Sequence, residues 1–169
     1  MAIIPALVAP LQAALLQEPL AFLAAEHARQ TVLLAHLERL ARAPEGRASR
    51  LLARVLLHWL SVELPLHLAD EEASLYPRLA AFDSEGVLPR LREQRRQDRL
   101  ATPALLAALR RAAGGEPPAA GFTEAALGFV ARQRQQLALE ESALVPLAQR
   151  QLGAAELSAV AAEMIQRRG

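Results

Sequence analysis

The feature that most constrains this chain is the stretch His-Leu-Ala-Asp-Glu-Glu-Ala-Ser-Leu-Tyr-Pro, which begins at His67. It places His67 and Glu71 four residues apart in a segment that otherwise reads as an apolar helix. Four residues advance a helix by about 400° and about 6 Å, so both side chains leave the same face one turn apart. An imidazole and a carboxylate on one face form half of a metal site, of the kind that helix bundles build in their cores.

The same phrase returns 69 residues downstream as Gln-Leu-Ala-Leu-Glu-Glu-Ser-Ala-Leu-Val-Pro. This copy keeps the glutamate, as Glu140, but has Gln136 where the first copy has His67. A second echo relates residues 26–30, Glu-His-Ala-Arg-Gln, to residues 93–97, Glu-Gln-Arg-Arg-Gln, at an offset of 67. The nearly equal offsets indicate a duplicated helical hairpin, with histidines in the first half and glutamines in the second.

The composition favours one all-helical domain that covers residues 1–169. The chain is 53% hydrophobic but only 4% aromatic, which suits close helix packing and is too poor in rings for an aromatic-rich β core. A formal charge of +1 gives no argument for nucleic acid or for a strongly acidic partner. The lack of cysteine excludes disulfides, thiolate metal sites and a cysteine nucleophile. It is compatible with a reducing cytoplasm, where we expect the protein to reside.

Proline, glycine and the spacing of apolar residues predict an all-α, up-down-up-down four-helix bundle with an N-terminal arm and a short C-terminal fifth helix. The apolar start of the arm lacks a basic region and is too short to span a bilayer as a helix. Pro65 is expected to kink the second helix just before His67. The predicted segments are the arm over residues 1–18, the bundle over 20–152 with helices at about 20–42, 48–80, 87–112 and 122–152, and the closing helix over 154–168.

Polar residues fall on the inward stripe of all four predicted bundle helices. Buried polar groups are costly unless they are bonded, so these positions carry information about a site. In an antiparallel bundle they can meet at one level of the core. The positions are His27 on the first helix, His67 with Glu71 on the second, Gln94 with Asp98 on the third, and Gln136 with Glu140 on the fourth.

The chain resembles the hemerythrin-like HHE cation-binding domains over most of its length. The resemblance rests on the phrases HLADEEASLYP and LALEESALVP, with AEHARQ and REQRRQD in support. It implies a four-helix bundle around a non-haem di-iron centre. Carried over position by position, it implies metal ligands at His27, His67, Glu71 and Glu140.

The chain departs from the family pattern at one of the two metal positions. Gln94 and Gln136 stand where the family has histidine, and Asp98 stands where some members have a further ligand. Glutamine offers only a neutral amide oxygen, a poor replacement for imidazole on iron or zinc. We therefore expect a degenerate centre with a single ion, either iron or zinc. The alternative is a metal-free core in which the two glutamine amides bond to the histidines and glutamates.

Three further features lie outside the proposed ligand set. Glu63 lies one turn before His67 and can orient its ring as a carboxylate partner outside the ligand set. His36 and His58 are interpreted as surface or packing residues. The arginine-rich run over residues 90–99 is interpreted as a solvated helix face, because it also contains acidic residues and lacks interleaved aromatics.

The function that we predict is metal binding in the bundle core, for sensing or handling oxygen, nitric oxide or iron, roles that the resemblance implies. The alternative is a metal-free helical scaffold or interaction module, with a homodimer as one form. The sequence offers no phosphate loop or catalytic triad, so we assign no catalytic residue and no organic cofactor site, and favour a protein that is not an enzyme. The expected partners are a metal ion or a small diatomic ligand, and neither nucleic acid nor a membrane.

Overall fold

The computed structural model describes residues 11–169, and all regular elements in this range are helical, without a strand. The prediction of an all-α fold is confirmed. Most of the predicted N-terminal arm lies outside the described residues, and its end forms a 3₁₀ turn over Ala13–Gln17 that buries Leu16. The longer helices are α1 (Pro19–Arg42), α2 (Arg47–Phe82), α3 (Val87–Gly114), α4 (residues 122–151) and α5 (Ala154–Arg167).

The ends of these helices follow from local chemistry. Pro19 occupies the first position of α1, where a missing N–H costs nothing. Asp83 caps α3, because its carboxylate accepts hydrogen bonds from the backbone N–H groups of Val87 at 2.8 Å and Leu88 at 2.9 Å. Gly115 ends α3 in the left-handed conformation, with φ of 85°. Turn residues of this kind made the helix boundaries readable from the sequence.

Three π-helical segments within the described chain interrupt α2 and α4, and each ends shortly before a proline. They are Trp59–Glu63 before Pro65, Asp70–Leu75 before Pro77, and Glu140–Leu144 before Pro146. Proline lacks an N–H group and crowds the carbonyl four residues earlier, which disturbs the α-helical hydrogen bonds there, whereas α3 remains α-helical around Pro103. The first segment lies just before Pro65, where the sequence predicted a kink. The repeated phrase in the sequence therefore adopts the same wide turn in both copies.

A layer of buried polar residues, called here the polar layer, divides the hydrophobic core into two clusters. It includes His27, His67, Glu71, Asp98 and Glu140. Helix α1 packs against α2 and α4, and helix α3 packs against the same two helices. The order of the two clusters along the chain reverses from each helix to the next. Representative members are Leu34, Trp59, Leu105 and Phe129 in one cluster, and Phe22, Leu75, Leu91 and Leu144 in the other.

Helix α5 packs on α1, on the 3₁₀ turn and on the second π segment of α2. Helix α2 is long and apolar enough to cross a membrane by length and composition alone. Core helices of bundles share that property; in α2, 33% of the most apolar window is buried, and Ala53, Leu56 and Leu60 pack in the core.

Candidate metal centre

His27, His67, Glu71 and Glu140 converge in the polar layer from α1, α2 and α4. Each residue is at most 2% exposed. One ligand atom from each residue lies within 4.8 Å of the others. The two imidazole rings stand edge to face, with centroids 5.2 Å apart. The fold thus brings together the four residues that the resemblance implied as metal ligands.

The polar atoms of this group are well suited to a cation. Nε2 of His27 lies 3.6 Å from Oε1 of Glu71 and 3.4 Å from Oε2 of Glu140. Within residues 11–169, both ring nitrogens of His27, Nε2 of His67 and Oε1 of Glu71 are buried without a hydrogen bond. Buried polar atoms are normally paired, so these atoms lack the partners that their burial requires. Imidazole nitrogens and carboxylate oxygens are good ligands for iron or zinc, and one metal ion would satisfy Nε2 of His27, Nε2 of His67 and Oε1 of Glu71 together.

The ring of His67 is oriented by Glu26. Oε2 of Glu26 lies 2.9 Å from Nδ1 of His67, so that Nε2 is left for the centre. A carboxylate on the outer nitrogen of a ligand histidine sets the tautomer and the orientation of the ring. The structure gives this role to Glu26 rather than to Glu63. Glu63 is the last residue of the first π segment of α2, and the wider turn changes the direction of its side chain. Its carboxylate pairs with Arg29 and lies 3.4 Å from Nε2 of His58.

Arg95 enters the centre from α3, and sequence reasoning missed it. Its side chain is 1% exposed, and its Nη2 group donates to Oε2 of Glu71 and, at 2.8 Å, to Oε1 of Glu140. Its Nη1 group donates to Oε1 of Glu72 at 3.4 Å. Its guanidinium carbon lies 5.0 Å from the ring centroid of Tyr76, a cation–π distance. The prediction of a solvated arginine face is wrong at this residue.

Helical spacing alone permits two inward stripes on α3. Leu91, Gln94 and Asp98 follow that spacing, and so do Leu91, Arg95 and Asp98. The structure buries Arg95 and leaves Gln94 half-buried. The signal that could have distinguished them is electrostatic, since two glutamates predicted to be buried on the facing helices need a cation near them.

Asp98 and Gln136 form a separate polar network beside the centre. Oδ2 of Asp98 accepts hydrogen bonds from the amide of Gln136 and, at 2.7 Å, from the amide of Gln133. Oδ1 of Asp98 accepts a hydrogen bond from Nε of Arg132 at 2.6 Å. The metal-free alternative expected Gln136 to bond to the histidines or glutamates. In the structure its amide donates to Asp98 instead. Oε1 of Gln94 is buried and makes no hydrogen bond to the rest of the described chain.

Opposite charges face one another in the centre. Burial lowers the pKa of His67, but the carboxylates of Glu71 and Glu26 outweigh this effect and raise that pKa to about 9. Burial raises the pKa of Glu71, but the charges of Arg95 and His67 outweigh it and bring that pKa down to about 2. Burial and the neighbouring Glu71 raise the pKa of Glu140. Two cationic groups, Arg95 and His67, thus face the two carboxylates.

The fold and this site define the class of protein: a helical bundle whose core contains a buried histidine and carboxylate group that can hold a cation. The family model of the Hemerythrin HHE cation binding domain matches residues 18–148, most of the chain. The chain therefore belongs to the hemerythrin HHE cation-binding family. The matched range covers α1, α2, α3 and most of α4, and it includes every residue of the centre. Comparison with curated proteins and with solved structures gave no match.

Proposed function

We propose that this protein holds a single first-row metal ion, iron or zinc, between the side chains of His27, His67, Glu71 and Glu140. The observation that carries the proposal is the convergence of four buried ligand atoms within 4.8 Å of one another. Three buried atoms without a hydrogen bond within the described chain support it, because a cation would provide their missing partner: Nε2 of His27, Nε2 of His67 and Oε1 of Glu71. Membership of a cation-binding family points in the same direction.

A single ion, rather than a pair, is favoured by the residues that would surround a second one. Gln94 and Gln136 offer amide oxygens in place of imidazoles. Asp98 already accepts hydrogen bonds at both carboxylate oxygens, and the amide of Gln136 is one of its donors. A second ion bound near Gln94, Asp98 and Gln136 would have to break these hydrogen bonds.

We infer a role in sensing or handling oxygen, nitric oxide or iron, by analogy with the family. A bound iron ion would supply ligand binding and electron exchange. The chain's own residues control its surroundings: the two apolar clusters on either side of the polar layer keep bulk water away. Glu26 holds the His67 ring in position, and the predicted up-down-up-down order would place the ligand helices side by side.

Elemental analysis tests the proposal directly. Tag-free protein is purified without chelator from iron-supplemented cells, beside the variant His27→Ala/His67→Ala and the matched control His36→Ala/His58→Ala, which removes the two histidines outside the site. We expect about one ion per chain in the parent and the control, and essentially none in the site variant. Loss of metal in the control, or retention of it in the site variant, would contradict the assignment.

A metal-free scaffold is the second candidate, and one observation favours it. Arg95 and His67 supply two positive charges that face Glu71 and Glu140, so these two carboxylates already have cationic partners without a metal ion. This candidate predicts a folded protein that contains no metal and whose melting temperature does not change on addition of ferrous iron or zinc. A rise in melting temperature that requires His27 and His67 would decide against it.

A further inference from the structure

Glu71 and Glu140 each face both His27 and Arg95. On one side, Nε2 of His27 lies 3.6 Å from Oε1 of Glu71 and 3.4 Å from Oε2 of Glu140. On the other side, Nη2 of Arg95 contacts Oε2 of Glu71 and lies 2.8 Å from Oε1 of Glu140. Each carboxylate therefore faces His27 with one oxygen and Arg95 with the other, and Oε2 of Glu71 also lies 3.7 Å from Nε2 of His67.

Several contacts hold the guanidinium group of Arg95 in this position. Its Nη1 group donates to Glu72 at 3.4 Å, and the ring of Tyr76 lies beneath its guanidinium carbon at 5.0 Å. The side chain is 1% exposed, so water does not screen its charge. An arginine keeps its positive charge under all ordinary conditions. The two carboxylates thus share a cation that is covalently part of the chain.

We propose that Arg95 is a built-in cation that takes the place of a second metal ion and limits the centre to a single ion. A second divalent ion between the same carboxylate oxygens would meet the guanidinium charge at contact distance, where like charges repel strongly. The first ion in this picture rests on the proposed function, whereas the position of Arg95 between Glu71 and Glu140 does not.

A matched pair of variants separates the effect of Arg95 from that of the missing histidines. The first variant, Gln94→His/Gln136→His, adds two imidazoles and keeps Arg95. The second adds Arg95→Leu to the same two changes. Both are purified beside the parent, checked for helical content by circular dichroism, loaded with ferrous iron or zinc, desalted and analysed for bound metal.

We expect the double variant to bind as much metal as the parent, and the triple variant to bind about one more ion per chain. Equal metal content in the double and triple variants, whatever its value, would overturn the proposal. The comparison does not depend on the parent's own content: if the parent binds none, the proposed function fails while the difference between the two variants still tests Arg95.

A second measurement decides the matter if the triple variant does not fold. In the single variant Arg95→Met the two carboxylates lose their shared cation, so added zinc should raise its melting temperature by more than it raises that of the parent. Arg95→Lys, which keeps a positive charge, should respond as the parent does. The same zinc-induced rise in Arg95→Met and in the parent would overturn the proposal.

Discussion

Arg95 and Glu140 lie in contact across the core, with Nη2 of the arginine 2.8 Å from Oε1 of the glutamate, although 45 residues separate them in the chain. The same Nη2 group also contacts Glu71. One guanidinium group therefore joins α3 to both helices that contribute carboxylates to the centre. This contact links the stability of the bundle to the chemistry of the site.

Removal of this guanidinium group should destabilise the fold strongly. Arg95→Met leaves two buried carboxylates without their shared partner, and breaking a buried ion pair costs about 3–5 kcal/mol. Urea denaturation of chelator-treated protein at neutral pH measures the loss in unfolding free energy. The control is Arg96→Met, since Arg96 is exposed and pairs with Glu93 on the surface, and it should leave the unfolding free energy nearly unchanged. Similar losses in the two variants would show that Arg95 does not have this role.

The orientation of His67 by Glu26 predicts a difference between two glutamates. Glu26→Ala removes the carboxylate on Nδ1 of His67 and should weaken metal binding by about 10–100-fold, the usual effect of losing such a partner. Glu63→Ala removes a carboxylate that pairs with Arg29 instead, and it should leave metal affinity close to that of the parent. Titration of zinc against a competing chelator measures both constants. Equal weakening in the two variants would contradict the assignment to Glu26.

Protonation of His67 should make the stability of the metal-free protein depend on pH. Its pKa in the folded chain is about 9, above the ordinary value of 6.5, because Glu71 and Glu26 outweigh the effect of burial. The folded state therefore binds this proton more tightly than the unfolded state does. The resulting stabilisation is complete below pH 6.5 and is lost as the pH rises through 9, a change of about 3 kcal/mol.

Urea denaturation of chelator-treated protein between pH 6 and about pH 10 checks this dependence. The variant His67→Gln serves as the control, because it has no imidazole to titrate, and its stability should change much less over the same interval. A parent protein whose unfolding free energy is flat over this interval would show that His67 is not protonated in the fold.

The closing helix α5 should be anchored by a buried carboxylate of α2. Asp70 is fully buried, and it accepts hydrogen bonds from Nη1 of Arg167 at 2.8 Å and from Nη2 of Arg168 at 2.7 Å. Arg167→Ala/Arg168→Ala leaves that carboxylate without cations and should lower the unfolding free energy by about 2–3 kcal/mol, less than for a fully buried pair because both arginines are partly exposed. Thermal or urea denaturation measures the loss. Adding Asp70→Asn, which removes the buried charge, should recover part of it, and no recovery would point to packing as the cause.

Some residues of the polar layer could be predicted from the sequence and others could not. The pairing of His67 with Glu71 follows from helical spacing within one segment, and His27 and Glu140 follow from the resemblance to the family. Arg95 does not follow, because Gln94 and Arg95 both fit the periodicity of α3. Neighbouring positions on a helix differ by about 100° in direction. The choice between them depends on how far the helix is rotated in the bundle.

The sequence by itself determined the helices, their ends and the chemistry of the individual ligand positions, since proline, glycine and residue spacing act through local backbone geometry. Only the tertiary structure decided which charges meet: Arg95 with Glu71 and Glu140, and Glu26 rather than Glu63 with His67. These contacts join residues on different helices, and their formation depends on the balance between the cost of burying each charge and the attraction of its partner across the core. That balance exists only once the helices are packed.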